Sequence, residues 1–332
     1  MRILPFLFTI AFFATAFALR LNAEDNNKGY FDTPRIYVED DIYMPVGLLA
    51  AKAPVDDKLT WDTGSAYVTN SSFRSGGTTV QSNLGVQLWK IRLAAVKTVG
   101  NNTLCVNLPF AINQVSGQIG GQPASKSGYG LGDLALIGKR KIWDGGDNSD
   151  ITFAAGIELP TGRDNLKFNQ SNTITNAFYP GNTQRIPLAW QPGSGSTNVY
   201  TSLSYSKTGY RNAFGAILAC KSNGKGDSDV RLGNLWVLSL NATHSLNANT
   251  ATSLGLIYRR QQNDSYPLAP DPGIGQAGLA GVTQHGTSIS LSPSIRFRLK
   301  QILTVGLSFS TPIVRPSDGL VPESRWGAIV TL

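Results

Sequence analysis

The chain lacks most of what a helical membrane protein or a metal-dependent enzyme would need. After Leu19 no stretch approaches the roughly 18 continuous apolar residues of a membrane-spanning helix, so any membrane role must come from strands. Cysteine and histidine occur only as Cys105, Cys220, His244 and His285. Ligands this few and this far apart do not build a transition-metal site, so no metal and no cofactor is expected. Charged residues make up just 15% of the chain. The 29 Lys and Arg outnumber the 21 Asp and Glu, but they are scattered instead of gathered into phosphate-binding stripes, which argues against a nucleic-acid partner.

What is abundant is glycine, with 35 residues, alongside Ser, Thr and Asn, a composition suited to many strands and turns in one large β domain. The first residues read as an export signal over 1–23: Arg2, the apolar run Ile3 to Leu19, and a small-residue cleavage site at Leu21-Asn22-Ala23. A membrane anchor is the alternative. Residues 24–58 show no sustained alternation, and Pro34, Pro45 and Pro54 would interrupt a ladder. This segment is a lumen plug or a periplasmic arm.

From residue 59 to 332 the sequence repeats a run of alternating apolar and polar residues closed by a turn. The clearest run sets Ile289, Leu291, Ile295, Phe297 and Leu299 against Ser288, Ser290, Ser292, Ser294, Arg296 and Arg298. Side chains flip face at each strand residue, so such a run has one greasy and one wet face. Strands are expected near 59–69, 82–97, 103–113, 131–142, 150–160, 197–207, 211–221, 229–242, 249–262, 285–298, 301–311 and 324–332. Each approaches or exceeds the roughly 9 to 11 residues that a tilted strand needs to cross a bilayer. Long connections at 70–81, 114–130, 161–196, 263–284 and 312–322 and a shorter one at 222–228 alternate with short turns. That rhythm is the loop asymmetry of an outer-membrane barrel. The fold class is all-β: an antiparallel transmembrane β-barrel of about 12 strands with a non-strand N-terminal segment.

Leu108-Pro109-Phe110, then Gly130-Leu131-Gly132-Asp133, then Leu159-Pro160-Thr161-Gly162 resemble motifs of the outer-membrane family named for the meta pathway of phenol degradation. The resemblance spans about residues 60–332 and implies an outer-membrane transporter of small, often aromatic or poorly soluble, compounds. It also implies a Gram-negative outer membrane.

Phasing each strand by its apolar side assigns a lumen face carrying Lys90, Arg92, Lys139, Lys141, Arg259, Arg296 and Arg298, with Asp133 and Glu158 as the acids. A charge on the lipid side would cost about 2–4 kcal/mol at mid-membrane, which favours this inward placement. A net-positive lumen would prefer anions. The alternative is that basic residues near the periplasmic end, Lys139, Lys141, Arg296 and Arg298, anchor the barrel at headgroups or bind Glu39-Asp40-Asp41. Most of Tyr43, Trp61, Tyr67, Trp89, Trp143, Tyr205, Tyr258 and Trp326 fit an interfacial girdle, while Tyr200 falls on an inward phase and is the aromatic candidate for a solute contact. Cys105 and Cys220 fall on opposite faces of separate strands, and no disulfide is expected. Gly128-x-Gly130-x-Gly132 precedes a strand instead of a helix, so it reads as turn flexibility and not as a phosphate loop.

The function expected is passive passage of a small solute, with outer-membrane lipid and, through the C-terminal strand, the barrel-assembly machinery as partners. Two other readings remain open. One is a non-transporting adhesion or structural barrel whose lumen is shut by side chains. The other is a lipid hydrolase built on His285-Gly286-Thr287, for which no serine nucleophile or imidazole partner is identifiable.

Overall fold

The computed structural model describes residues 40, 41, 44–50, 59–166, 190–265 and 284–331, less positions 76, 77, 82, 83, 120, 121, 147, 210, 227–229, 300–302 and 317. The expected signal at 1–23 and much of 24–58 lie outside these residues. The described chain is a closed antiparallel barrel of twelve strands with one extra strand.

The strands run in chain order around the wall: β1 (Leu59–Ser75), β3 (Leu84–Val99), β4 (Asn102–Ile119), β5 (Gln122–Leu131) continued by β6 (Leu134–Asp144), β7 (Ser149–Leu159), β8 (Asn198–Thr208) and β9 (Asn212–Asn223). They continue through β10 (Leu235–Ser245), β11 (Thr250–Gln261), β12 (Gln284–Leu299), β13 (Leu303–Val314) and β14 (Asp318–Thr331). β2 (Thr78–Gln81) folds back on the far end of β1. Closure comes from β14, which pairs with β13 on one side and with β1 on the other. No edge is left along that seam, which removes the usual hazard of an open sheet.

Alternation decides which way each strand faces. In β10 burial switches at every residue: Leu235, Val237, Ser239, Asn241, Thr243 and Ser245 point in, and Trp236, Leu238 and Leu240 point out. Leu93, Leu104, Phe153, Leu203, Leu218, Leu256 and Leu307 stand exposed on the same outer surface. In water each such side chain would forgo about 1.5–3 kcal/mol of burial, whereas acyl chains make the outer face favourable. Trp61 and Trp143, near the periplasmic end, are also exposed and fit a girdle.

The expected turns match the short connections 100–101, 145–148, 209–211 and 246–249, and the last falls at 300–302, outside the described residues. Three expected outer loops do not hold as loops. Most of 70–81, 114–130 and 312–322 is strand, because β1, β4, β5, β13 and β14 keep pairing beyond the apolar stretch. Lipid contact ends the apolar alternation, but backbone hydrogen bonding does not need lipid to continue. The strand expected at 131–142 is the lower part of a broken stave. β4 pairs through Asn102–Asn107 with β6 and through Phe110–Ile119 with β5, and the break falls at Gly132-Asp133. The strand expected from 229 begins only at Leu235, after a connection over 224–234. His244 stands exposed near the end of β10, with Nδ1 2.8 Å from Asn212 Oδ1 on β9.

Inside the barrel a short helix, α1 (Val46–Ala50), packs with Met44, Val46, Leu48 and Leu49 fully buried. Its apolar neighbours are inward residues of the wall: Ala94, Val96, Cys105, Ala135, Ile137, Ala154, Ile217 and Ala219. Cys105 thus faces the lumen, whereas Cys220 is partly exposed on the other side of the wall, and both thiols are free.

Candidate functional site

The lumen holds three linked polar constellations. The first binds the N-terminal segment. Asp40 pairs with Arg92 of β3, whose guanidinium also pairs with Asp62 of β1. Asp41 accepts from Arg259 of β11 at 2.8 Å and from Arg325 of β14 at 3.3 Å. Arg259 also donates to Gln261. The segment is further fixed by Gly47 N–H donating to Asp40 Oδ1 at 2.7 Å and by Lys139 Nζ donating to the Leu48 carbonyl at 3.0 Å. Gly64 leaves the space for this: a Cβ there would sit 3.1 Å from both the Arg92 guanidinium and the Asp40 carboxylate.

The second constellation centres on Glu158 of β7. Its carboxylate accepts from Asn198 Nδ2 at 2.6 Å, from Lys221 Nζ at 2.6 Å and from the Tyr200 hydroxyl. Lys221 also lies over the Tyr200 ring, 5.4 Å from its centroid. All four residues are at least nine-tenths buried. Charges this deep persist only when paired and hydrogen-bonded, and these are. A cavity of about 20 Å³ lies between Glu158, Lys90, Arg92, Asn107 and the aspartates Asp40 and Asp41, room for about one water.

The third constellation anchors the long connection after β7. Asp133, at the break between β5 and β6, accepts from Gly162 N–H at 2.9 Å and from both the backbone and the hydroxyl of Ser194 at 2.6 Å. Ser194 in turn accepts from Asn198 Nδ2 at 3.0 Å, which joins this anchor to Glu158. The backbones meet closely here: a Cβ on Gly162 would fall 2.5 Å from the Gly132 carbonyl carbon. The described ends of the connection turn inward. Leu166 and Gln191 exchange two hydrogen bonds of 3.0 Å, and fully buried Trp190 offers its carbonyl to Asn113 of β4. Gly128 and Gly130 belong to β5, and Leu166, Arg163 and Pro192 pack where their side chains would be. That corrects the expectation of mere turn flexibility: the glycines clear the inner face of a strand for the loop.

The sequence-derived candidates therefore separate. Arg92, Lys139, Glu158, Tyr200, Arg259 and Arg296 are all buried on inward phases, and Lys90 is half-buried beside the small cavity. Tyr200 is fully enclosed and committed to Glu158 instead of presenting a free ring. Asp133 holds a loop. Lys141 pairs with Asp144 at 2.6 Å near the periplasmic end, where half-buried Arg298 also lies. The inward acids are not limited to Asp133 and Glu158, since Asp62 and Asp150 share that face. Lys221 and Arg325 were missed. β9 is apolar on both faces, because Ile217 and Ala219 cluster with Met44, Val46, Leu48 and Leu49, so its phase is ambiguous in sequence. Arg325 could have been found from the phase of Trp326 and Ala328, which it opposes. The side chain of His285 lies outside the described residues.

The motifs that position Asp133 and Gly162 belong to a recognised sequence pattern. Residues 60–311 match the family described as the MetA pathway of phenol degradation. The chain belongs to that family. No curated protein sequence matches it. Its fold is similar to that of an outer-membrane channel from Pseudomonas putida F1, with a TM-score of 0.60 at 15% identity over 84% of this chain and 98% of that one. The β domain of a Bordetella autotransporter (TM-score 0.46, 9% identity, 83% and 99% covered) and the monoaromatic hydrocarbon channel TodX (0.47, 10%, 85% and 91%) are more remote, and no argument rests on them. The family member described here is a barrel of the Gram-negative outer membrane.

Proposed function

We propose that this protein is a passive channel for small solutes whose lumen is closed at rest by residues 40, 41 and 44–50, and that it is not an enzyme. The observation that carries this reading is what fills the lumen. The inner wall is rich in small residues such as Ala94, Ala135, Ala154, Ala219 and Gly255, and the space they leave is occupied by a separate segment of chain. A barrel shut for purely structural reasons can fill itself with its own large side chains. Here the filling is tethered by ion pairs and one short apolar helix, an arrangement that can be withdrawn.

The family and the Pseudomonas putida channel support transport as the purpose of that removable filling. The expected anion preference takes a conditional form. With the segment in place, Arg92, Arg259 and Arg325 are matched by Asp40 and Asp41, so the wall's positive field is largely cancelled. Once the segment leaves, the wall loses the Asp40 and Asp41 carboxylates, and its more positive field would favour anions.

Planar-bilayer recording of the full chain beside a variant lacking residues 40–50 tests both points. The deletion should raise conductance at least about tenfold and give a reversal potential of anionic sign in a salt gradient. Equal conductance of the two proteins would remove the plug, and conduction by neither would favour the non-transporting barrel.

A further inference from the structure

On the side of the lumen formed by β10–β13, the wall below Val237 and Ile257 is built largely from hydroxyls. Strand register lines them up. Thr243 lies opposite Ser253, Ser253 opposite Ser294, and Ser294 opposite Ser308. Adjacent strands are about 4.8 Å apart, so this row crosses four strands without a charge. Along β12, Ser288, Ser290, Ser292 and Ser294 recur at every second position, all buried on the inner face and about 7 Å apart. Asn241, Ser239 and Ser310 widen the field.

Part of this field bonds within itself: Thr243 Oγ1 and Ser253 Oγ are 2.8 Å apart, and Asn241 Nδ2 donates to Ser239 Oγ at 2.9 Å. Two of its hydroxyls do not. Ser294 and Ser310 are 8% and 1% exposed, and neither side-chain oxygen has a hydrogen-bond partner. A buried hydroxyl with nothing to bond is costly, so each marks a point where an incoming hydroxyl or a water completes a bond.

We propose that the solute track follows this hydroxyl wall and that the solute is a small neutral molecule carrying several hydroxyl groups. This rests on the channel reading above and adds the class of solute. Every serine oxygen both donates and accepts, so a solute hydroxyl can exchange one wall partner for the next along Ser290, Ser292 and Ser294. Passage requires binding firm enough to admit the solute and weak enough to release it, which neutral hydroxyl pairs provide and buried arginine pairs do not.

The test uses the otherwise complete chain with Asp40→Asn and Asp41→Asn to loosen the plug, reconstituted in liposomes. Swelling rates are compared for arabinose, which is neutral and polyhydroxylated, and for glycine betaine, which is of similar size and has no hydroxyl. Arabinose should enter faster. Adding Ser290→Ala, Ser292→Ala, Ser294→Ala and Ser308→Ala should lower the arabinose-to-betaine ratio about fivefold or more. An unchanged ratio, or a parent protein that prefers betaine, overturns the hydroxyl track while leaving the channel intact. Passage of neither probe through a parent that shows heat-modifiable barrel migration overturns the channel reading and this inference with it.

Discussion

The two sides of the inner wall have the same strand alternation and use it for opposite purposes. On β3, β4, β6, β7 and β9 the inward positions mix apolar and charged residues with neutral polar ones such as Asn107 and Thr152, and Arg92, Lys139, Glu158 and Lys221 are each committed to a partner on the N-terminal segment or on another strand. On β10–β13 the inward positions from Ser239 and Ser290 onward are mostly hydroxyls, and those of Ser294 and Ser310 have no hydrogen-bond partner. The outer faces of both sides are alike, since lipid asks the same of each. Lipid thus fixes one face of every strand and leaves the other free to specialise. The first side seats most of the N-terminal segment, while Arg259 and Arg325 hold Asp41 from beyond it, and the second is, on our proposal, the surface along which a solute passes.

The sharpest way to break that comparison is to damage the seat. Glu158→Ala would take the carboxylate away from buried Lys221 and strip Tyr200 and Asn198 of an acceptor. Removing one member of a buried pair costs about 3–5 kcal/mol. Urea titration of refolding into lipid vesicles should show a loss of that size, and Glu158→Gln with Lys221→Met should recover much of it. A loss below about 1 kcal/mol would mean that water reaches the cluster and that the seat is not packed.

Alternation made the barrel legible because a bilayer imposes a strict period of two, and the short turns announced themselves between apolar runs. The phase was equally readable wherever one face was greasy and the other was not, and Arg92, Lys139, Arg259 and Arg296 are buried on the phase opposite the apolar residues. It failed at β9, where Ile217 and Ala219 make the inner face apolar as well, and so Lys221 went unseen. Partners were less legible than phases. Asp41 meets Arg259 across 218 positions of sequence, and no local pattern carries that information. The role of Asp133 was hidden for a similar reason. A carboxylate at a strand break looks like a lumen charge until the connection after β7 is seen folded back onto it.

That connection supplies a second, smaller test on the same side. Asp133→Asn keeps the shape but removes the charge from three hydrogen bonds to Gly162 and Ser194. Bonds to charged groups contribute about 1.5–3 kcal/mol, and an amide keeps part of that. The expected result is a modest fall in global stability with markedly faster proteolytic nicking between residues 160 and 197. Unchanged nicking would show that backbone contacts such as Gly162 against Gly132 hold the loop without the carboxylate.

The smallest effect is expected on the hydroxyl side, and its smallness is the point. Thr243→Val keeps the shape of the side chain and removes one partner from the 2.8 Å contact with Ser253. In a tightly packed core, stranding a buried hydroxyl costs about 1–3 kcal/mol. In a surface built to exchange partners, Ser253 turns to water or to Ser294 opposite it, and the cost falls to about 0.5 kcal/mol or less. Removing both groups with Thr243→Val and Ser253→Ala should then differ little from either single change. Were the single change to cost as much as the loss of Asp133, β10–β13 would be framework like the rest, and the contrast between seat and surface would fail.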